Sequence, residues 1–402
     1  MGDALVSRNS RLDAVKVLLV NNYAHVTGGA DLYCLEITRG LRERGHEVRW
    51  LATRAPENEE RSGAFVSRLV GAENRDDLSF GARARVVEKA IWNREAGRSM
   101  GELARSFRPD VVHVHKAYVQ LSVAPVVVAA RAGLPVVQTV HDYEFVSASP
   151  LDSSGRRWDH DESRLSYRAL NSATFISRRR VHRPRVTRWI AVSRAVARIY
   201  DSAAGIGCEV IPNFVPESTA PALPLEARGG VLFLGRLSRE KGIYDVIEAA
   251  RRLPGTSFTV AGDGPMREEV VAAAATLPNL DYLGFVSGGN ARDLIREAVA
   301  CLMPSRWQEP GPLACLESMA EGTPVICFPN GGLAEYVADS SAGLVCGNSD
   351  PGDLVEAIER LVADPAEWKR LSANGPAGIA GRHSRAVHLD RLLGVYESAN
   401  GR

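Results

Sequence analysis

The feature of this sequence that most constrains its fold is an alternation of short apolar runs with helical segments, which occurs twice. In the first half the runs predict strands at residues 15–22, 46–53, 111–115, 135–141 and 189–193. The alternation restarts at residue 230, with strands predicted at residues 231–235, 257–262, 280–284, 300–304 and 324–328. Because such alternation is typical of parallel strands with helical crossovers, each half predicts one doubly wound α/β domain.

A proline-containing segment without periodicity separates the two series. At 402 residues the chain is too long for one ordinary core, which favours two domains. The predicted division is an N-terminal domain (residues 1–214), a linker (215–229), a C-terminal domain (230–382) and a terminal helix (383–402). In open sheets of this class ligands bind beyond the carboxyl ends of the strands, so we expect two Rossmann-like domains facing a central cleft.

Composition excludes several classes of protein. Hydrophobic content of 45% and charged content of 24% are typical of a globular protein, and a net charge of +1 gives no bulk attraction to nucleic acid. No apolar run is long enough to span a bilayer, and the first residues lack the apolar core of a signal peptide. The six cysteines form no paired motif, which predicts reduced thiols in a cytoplasmic protein.

Two glutamates, Glu309 and Glu317, stand eight positions apart around a predicted helix start. A loop carboxylate can accept hydrogen bonds from sugar hydroxyls, and a carboxylate two turns into a helix can accept those of a ribose. The amides between them, at Gly311 and Leu313, can hold phosphate at the helix start, with Pro312 expected at the first helical position. The alternative is that Glu317 is an ordinary surface glutamate of an amphipathic helix.

A second motif follows the predicted strand at residues 231–235. Gly235 and Arg236 open a loop that ends at Lys241, just before a helix predicted to start near Gly242. Arg236 and Lys241 could bind a diphosphate, one as a planar fork and the other as a point charge. A solvated basic loop is the alternative.

Together the two motifs resemble those of the retaining GT-B glycosyltransferases of family four. That family has Gly-Arg-(four residues)-Lys-Gly and Glu-(seven residues)-Glu in its C-terminal domain, and both occur here in the same order. Three further stretches carry the resemblance: residues 260–265, residues 330–332 with Glu335, and residues 211–213. The sequence departs from the family at Pro312, where a glycine is common, so one backbone donor to phosphate is absent there.

The N-terminal half offers further candidates. Gly28 and Gly29 follow the first strand, where glycines allow a phosphate or an acceptor to approach the backbone at a helix start. His141 stands at the carboxyl end of a predicted strand, and the resemblance implies that it binds the donor sugar from the opposite domain. Asp142 is a candidate for orienting that imidazole or for binding the acceptor.

A basic run from Arg178 to Arg188 is consistent with two interpretations. It could attract anionic lipid headgroups or a lipid diphosphate acceptor, which would place the protein peripherally at the inner face of a membrane. Alternatively it is a solvated face, since Pro184 interrupts any continuous amphipathic helix.

The resemblance implies a nucleotide-sugar-dependent hexosyltransferase. The donor is expected to be a nucleotide-diphosphate sugar, and the acceptor a sugar, a lipid-linked molecule or a small molecule in surface polysaccharide, glycolipid or glycosylated metabolite biosynthesis. Arg236, Lys241, Glu309 and His141 are the predicted catalytic residues. No metal and no cofactor are expected, because the two cations can neutralise the leaving diphosphate. The alternatives are a nucleotide-sugar epimerase of the same architecture and a non-catalytic nucleotide-sugar-binding protein.

Overall fold

The computed structural model of the chain describes residues 14–68, 80–118, 120–147, 165–216, 218, 220–286 and 288–401. Within these ranges strands and helices alternate and build two sheets, a seven-stranded one and a six-stranded one. Every strand pair whose register is defined is parallel. The prediction of an α/β protein with two doubly wound sheets is therefore confirmed.

The first sheet has the strand order β3-β2-β1-β4-β5-β6-β7. Its strands are β1 (Lys16–Val20), β2 (Glu47–Thr53), β3 (Gly63–Val66), β4 (Val111–Val114), β5 (Val136–Val140), β6 (Arg188–Ala191) and β7 (Glu209–Val210). The helices between them are α1 (Gly29–Glu43), α2 (Phe80–Ile91), α3 (Arg94–Ser106), α4 (Ala124–Arg131), α5 (Leu165–Ser177) and α6 (Arg194–Ala204).

The second sheet repeats the pattern, with the order β10-β9-β8-β11-β12-β13. Its strands are β8 (Val231–Leu234), β9 (Phe258–Ala261), β10 (Leu280–Gly284), β11 (Ala300–Met303), β12 (Val325–Cys327) and β13 (Gly343–Val345). The helices of this half are α7 (Ile243–Arg252), α8 (Arg267–Ala274), α9 (Gly288–Glu297), α10 (Leu313–Ala320), α11 (Gly331–Ser340), α12 (Pro351–Ala363), α13 (Pro365–Arg382) and α14 (Arg385–Ala399).

The strands that the sequence analysis missed are β3, β7 and β13, which lie at the edges of the sheets. They have four, two and three residues, too few for the alternation of buried and exposed side chains to show. The predicted strands were all found, although several end one or two residues earlier than expected. Their last predicted residues, Gly235, Gly262 and Pro304 among them, belong instead to the loops at the carboxyl edge.

Contacts divide the chain into two compact units. One comprises residues 1–137, 184–187 and 396–402, and the other comprises residues 138–183 and 188–395. The chain passes from the first sheet to the second between β7 and β8, close to the predicted linker, whereas the contacts place the division elsewhere. The predicted boundaries at residues 214 and 230 therefore stay a prediction.

In the first unit the Tyr396 hydroxyl lies 2.7 Å from Nδ1 of the buried His113.

The basic run folds as a short π-helical turn, Arg178–His182, followed by a 3₁₀ turn over residues 183–185. Arg178 is buried and donates to the carbonyl oxygen of Glu144 at 3.2 Å, so this arginine has a structural role. Arg179, Arg180 and Arg188 are exposed. Membrane contact through them stays a prediction; in the described part of the chain no helix is long and apolar enough to cross a bilayer.

Candidate active site

The topology of the second sheet brings two predicted motifs together. β8 pairs with both β9 and β11, so the strand order reverses between β8 and β11. Ligands of doubly wound sheets bind at such a reversal, beyond the carboxyl ends of the strands. The loop after β8 contains Arg236 and Lys241, and the loop after β11 contains Glu309. Two segments that are far apart in sequence therefore meet at this edge.

Glu309 is the centre of the site. Its side chain is only 5% exposed, and one carboxylate oxygen, Oε1, forms an ion pair with the Lys241 ammonium. The Ser305 hydroxyl lies 2.8 Å from the same oxygen. The second oxygen, Oε2, has no hydrogen-bond partner among the described residues. A buried carboxylate is stable only with such partners, so Lys241 and Ser305 hold the Glu309 side chain in place.

Arg236 differs from Lys241. Its side chain is exposed, and within the described ranges it makes no salt bridge or side-chain hydrogen bond. The structure therefore does not bring Arg236 and Lys241 onto a common protein partner. An unpaired guanidinium at the carboxyl edge of the sheet is available to an anionic ligand.

The loop that carries Glu309 is anchored to α7 by an ion pair that the sequence analysis did not identify. Nε and Nη2 of Arg306 donate to the two carboxylate oxygens of Asp245, at 2.8 and 2.5 Å. The Asp245 side chain is 3% exposed. A bidentate contact of this kind fixes orientation as well as distance, so it determines where Ser305 and Glu309 lie.

A second anchor comes from the turn before α11. The Asn330 side-chain amide donates to the Ser305 carbonyl oxygen at 2.7 Å, and the Gly332 amide donates to the Glu309 carbonyl oxygen at 2.5 Å. Gly331 has φ of +67°, and a Cβ there would lie 2.3 Å from the Glu309 carbonyl oxygen. The Asn-Gly-Gly stretch therefore holds the backbone of the loop that contains Glu309.

Glu335, a further residue of the resemblance, lies outside the immediate site. Its two carboxylate oxygens accept the amides of Arg194 and Ala195, at 2.9 and 3.0 Å. Glu335 therefore caps the positive end of α6. Its role is to join α11 to α6.

The start of α10 differs in one detail from the prediction. Pro312 is not the first helical residue but the residue before it, with extended dihedrals of −71° and 130°. Proline's fixed φ suits either position. The amides of Leu313 and Ala314 have no partner among the described residues, while the Leu313 side chain is buried. They remain free to bind an anion.

Gly311 is required by close packing. A Cβ at this position would lie 2.5 Å from the Tyr336 hydroxyl oxygen. The Gly311 carbonyl oxygen accepts a hydrogen bond from the Asn213 side chain at 2.6 Å, which holds the backbone just before α10. Gly235 has no such restriction, since a Cβ there would meet open space.

Glu317 lies in the second turn of α10 and is half-buried. Burial raises the pKa of its carboxyl above the usual value, although Arg292 opposes the rise. Its side chain makes no hydrogen bond or ion pair within the described ranges. The Glu317 carboxylate is therefore partly desolvated and unpaired within the described ranges.

An aromatic group lies beside Lys241 and Glu309. The Lys241 ammonium is 5.2 Å from the centroid of the Trp307 ring, and Trp307 packs edge to face with Tyr143 at 6.5 Å. His141 and Asp142 immediately precede this tyrosine, at the end of β5, and both are half-buried. His141 groups with the compact unit that contains Glu309, although it was predicted to act from the opposite domain.

Gly28 and Gly29 lie in the other compact unit. Gly28 precedes α1 in an extended conformation that any residue could adopt, and a Cβ there would meet open space; Gly29 is the first residue of α1. The buried Asp31 holds this loop by accepting from the Thr27 amide at 3.2 Å and from the Asn21 side chain at 2.8 Å. A requirement for glycine at position 28 could therefore come only from a molecule that docks there.

Metal ligands were not expected, and among the described residues no group of three or more His, Cys, Asp or Glu side chains could hold a metal ion. The six cysteines are all free thiols. The positive group in contact with Glu309 is the Lys241 ammonium.

Comparison with known proteins identifies the family of the chain. The family models described as "Glycosyltransferase Family 4" and "Glycosyl transferases group 1" match residues 27–219 and 222–377. The 2-deoxystreptamine N-acetyl-D-glucosaminyltransferase of Streptomyces fradiae is 28% identical over 403 residues, covering 93% of this chain and 92% of the relative.

Solved structures share the fold. Sucrose-phosphate synthase from Thermosynechococcus elongatus superposes with a TM-score of 0.70 at 18% identity, covering 95% of this chain and 98% of that one. Anabaena Alr3699/HepE, solved in complex with UDP-glucose, gives a TM-score of 0.66 at 18% identity, covering 96% and 100%. The two matched models together span most of the chain, and both sheets have the expected topology. The chain therefore belongs to the family-four, or group 1, glycosyltransferases of the GT-B fold, and it is a glycosyltransferase.

Proposed function

We propose that the enzyme transfers a sugar from a nucleoside-diphosphate sugar to a hydroxyl acceptor, with retention of the anomeric configuration and without a metal ion. The observation that carries the proposal is the partly buried Glu309–Lys241 pair at the point where the strand order of the second sheet reverses. A carboxylate able to accept hydrogen bonds from sugar hydroxyls thereby lies beside a cation able to bind phosphate, which suits the two ends of a sugar phosphate.

The diphosphate would lie between the two loops. Lys241 supplies a point charge, Arg236 an unpaired guanidinium, and the amides of Leu313 and Ala314 the positive end of α10. Bond cleavage puts negative charge on the leaving diphosphate, and these fixed groups would stabilise that charge in place of a metal ion.

The proposed roles of the other candidate residues follow from where their side chains lie. Glu309 would hold hydroxyls of the sugar through its free oxygen, and Glu317, two turns into α10, would accept the ribose hydroxyls. An unpaired carboxylate with a raised pKa is explained if a ligand completes its hydrogen bonds. His141 would contact the sugar, with Asp142 as a candidate for the acceptor side.

Retention of configuration is proposed from membership of the family. Glu309 already shares one oxygen with Lys241 and Ser305, so its proposed role is to hold the sugar and stabilise positive charge on it rather than to attack it. The structure of Alr3699/HepE with UDP-glucose supports a nucleotide-sugar donor. The S. fradiae relative, named for transfer to 2-deoxystreptamine, motivates that compound as the first acceptor to test, and the epimerase and non-catalytic alternatives find no support among these proteins.

The test is a donor screen. The purified protein is incubated with UDP-, GDP-, ADP- and dTDP-glucose, in the presence of excess EDTA and with 2-deoxystreptamine as the first acceptor, and free nucleoside diphosphate is measured. We expect release from one donor, and loss of that release in Glu309→Gln. Conversion of the donor to an isomer without release, or activity that EDTA abolishes and Mg²⁺ restores, would contradict the proposal.

A further inference from the structure

The Tyr143 hydroxyl is an unused hydrogen-bond donor in the aromatic group next to the Lys241–Glu309 pair. Tyr143 is 3% exposed, and its hydroxyl oxygen is buried without a hydrogen-bond partner among the described residues. Leaving a buried polar group unpaired is costly, so such a group in a native protein calls for an explanation. No packing requirement explains it, since phenylalanine would fill the same space.

The surroundings define what this hydroxyl can do. Burial raises the pKa of Tyr143 far above the usual value, and the neighbouring carboxylates of Glu309 and Asp142 raise it further. The phenol therefore keeps its proton and can act as a neutral hydrogen-bond donor. Trp307 packs against Tyr143 on one side and lies 5.2 Å from the Lys241 ammonium on the other, so Tyr143, Trp307, Lys241 and Glu309 form one cluster.

In the ligand-free protein Glu309 does not need this donor, because Lys241 and Ser305 bind its Oε1. Binding of the nucleotide sugar changes these contacts, because its diphosphate competes with Glu309 for Lys241. If the ammonium turns to phosphate, a carboxylate that is 5% exposed is left with one neutral partner. Removing one partner of a buried charge is strongly unfavourable unless another group replaces it.

We propose that Tyr143 is a positioning residue that donates its hydroxyl hydrogen to Glu309 when Lys241 moves to the diphosphate. The exchange would keep Glu309 hydrogen-bonded and oriented toward the sugar throughout the reaction. This inference rests on the proposed function in one respect, because the binding of a diphosphate is the event that withdraws Lys241. The capacity of Tyr143 to replace Lys241 as a partner of Glu309 does not depend on that function.

The capacity of Tyr143 to replace Lys241 can be tested without any nucleotide sugar. Lys241→Met removes the ammonium while keeping most of the side chain's length, and Tyr143→Phe removes only the hydroxyl. Melting temperatures are measured for the wild type, both single variants and the double variant. We expect Tyr143→Phe to leave the melting temperature unchanged or raised in the wild-type background, and to lower it in the Lys241→Met background.

Tyr200→Phe is the matched control. Tyr200 is buried in the same hydrophobic cluster as Tyr143, but its hydroxyl already donates to the Asp142 carbonyl oxygen at 2.9 Å. It should lower the melting temperature equally in both backgrounds. Equal effects of Tyr143→Phe in the two backgrounds would overturn the proposal.

A kinetic arm then tests the exchange in the working enzyme. With whichever of the four glucose donors the wild type uses, Tyr143→Phe should lower kcat about ten- to hundredfold, the loss expected for one hydrogen bond to a charged group. The Kd for the matching nucleoside diphosphate should rise as well, because its diphosphate also withdraws Lys241 from Glu309. Unchanged kcat would overturn the proposal. If the wild type releases nucleotide from no donor, the proposed function fails, whereas the melting cycle still decides the role of Tyr143.

Discussion

The anchor between Arg306 and Asp245 gives the sharpest test of how this site is built. The proposed change is Asp245→Asn, which preserves the shape of the side chain and removes its charge. The Asp245 side chain is 3% exposed and that of Arg306 is 36% exposed, so the pair is buried on one side only. The hydrogen bond to Asp245 raises the pKa of Arg306, in agreement with a bond that favours the charged guanidinium.

The magnitude follows from this partial burial. Breaking a fully buried pair costs about 3–5 kcal/mol, and a hydrogen bond to a charged group is worth about 1.5–3 kcal/mol. Because Arg306 can recover part of its solvation, we expect the free energy of unfolding to fall by about 2–3 kcal/mol. At roughly 2–4 °C per kcal/mol for a unit of this size, the melting temperature should fall by about 4–12 °C.

Function should change as well, because the freed loop carries Ser305 and Glu309. We expect kcat to fall while the affinity for the nucleoside diphosphate changes less. The measurements are thermal melting and nucleoside diphosphate release. The control is Glu248→Gln on the same helix, which breaks exposed pairs with Arg251 and Arg252 at 2.6 and 2.8 Å and should not measurably change either quantity. A melting temperature for Asp245→Asn within about 1 °C of the wild type would refute this reasoning.

Three further predictions concern the proposed ligand contacts. Arg236→Ala and Lys241→Ala should each lower turnover about 10²-fold, as for the loss of one preorganised donor, and Lys241→Arg should not fully restore it; near-wild-type nucleotide release in both alanine variants would rule out their role. His141→Ala should bind the nucleoside diphosphate normally in calorimetry but transfer sugar poorly, whereas equal loss of both would indicate a folding role. Glu317→Gln should weaken nucleoside diphosphate binding about ten- to hundredfold, yet raise the melting temperature of the free protein at neutral pH, because burial disfavours the Glu317 charge. Since the pKa of Glu317 is raised in the folded state, its contribution to stability is most favourable below the unfolded value of 4.5 and is lost as pH rises through the folded pKa. The difference in melting temperature between Glu317→Gln and the wild type should therefore widen as pH rises over that range. A difference independent of pH would contradict this assignment.

Much of the fold follows from local pattern. Strands such as β1, β8 and β11 are runs of consecutive apolar residues between turn residues, and a strand buried on both faces must have such a run wherever it lies in the sheet. The edge strands β3 and β13 were not predicted, because strands of three or four residues at a sheet edge need little apolar sequence. The chain positions of Lys241 and Glu309 were also evident, through spacing and resemblance.

What the sequence by itself determined was the class of fold, the two sheets and the residues with the chemistry to bind a sugar and a diphosphate. Only the tertiary structure decided how the side chains are paired: Glu309 with Lys241, Arg306 with Asp245, and the Tyr143 hydroxyl with no partner in the part of the chain that the structure describes. The physical reason is that apolar periodicity is a property of neighbouring residues, whereas an ion pair between residues 68 positions apart depends on which strands become neighbours in the sheet.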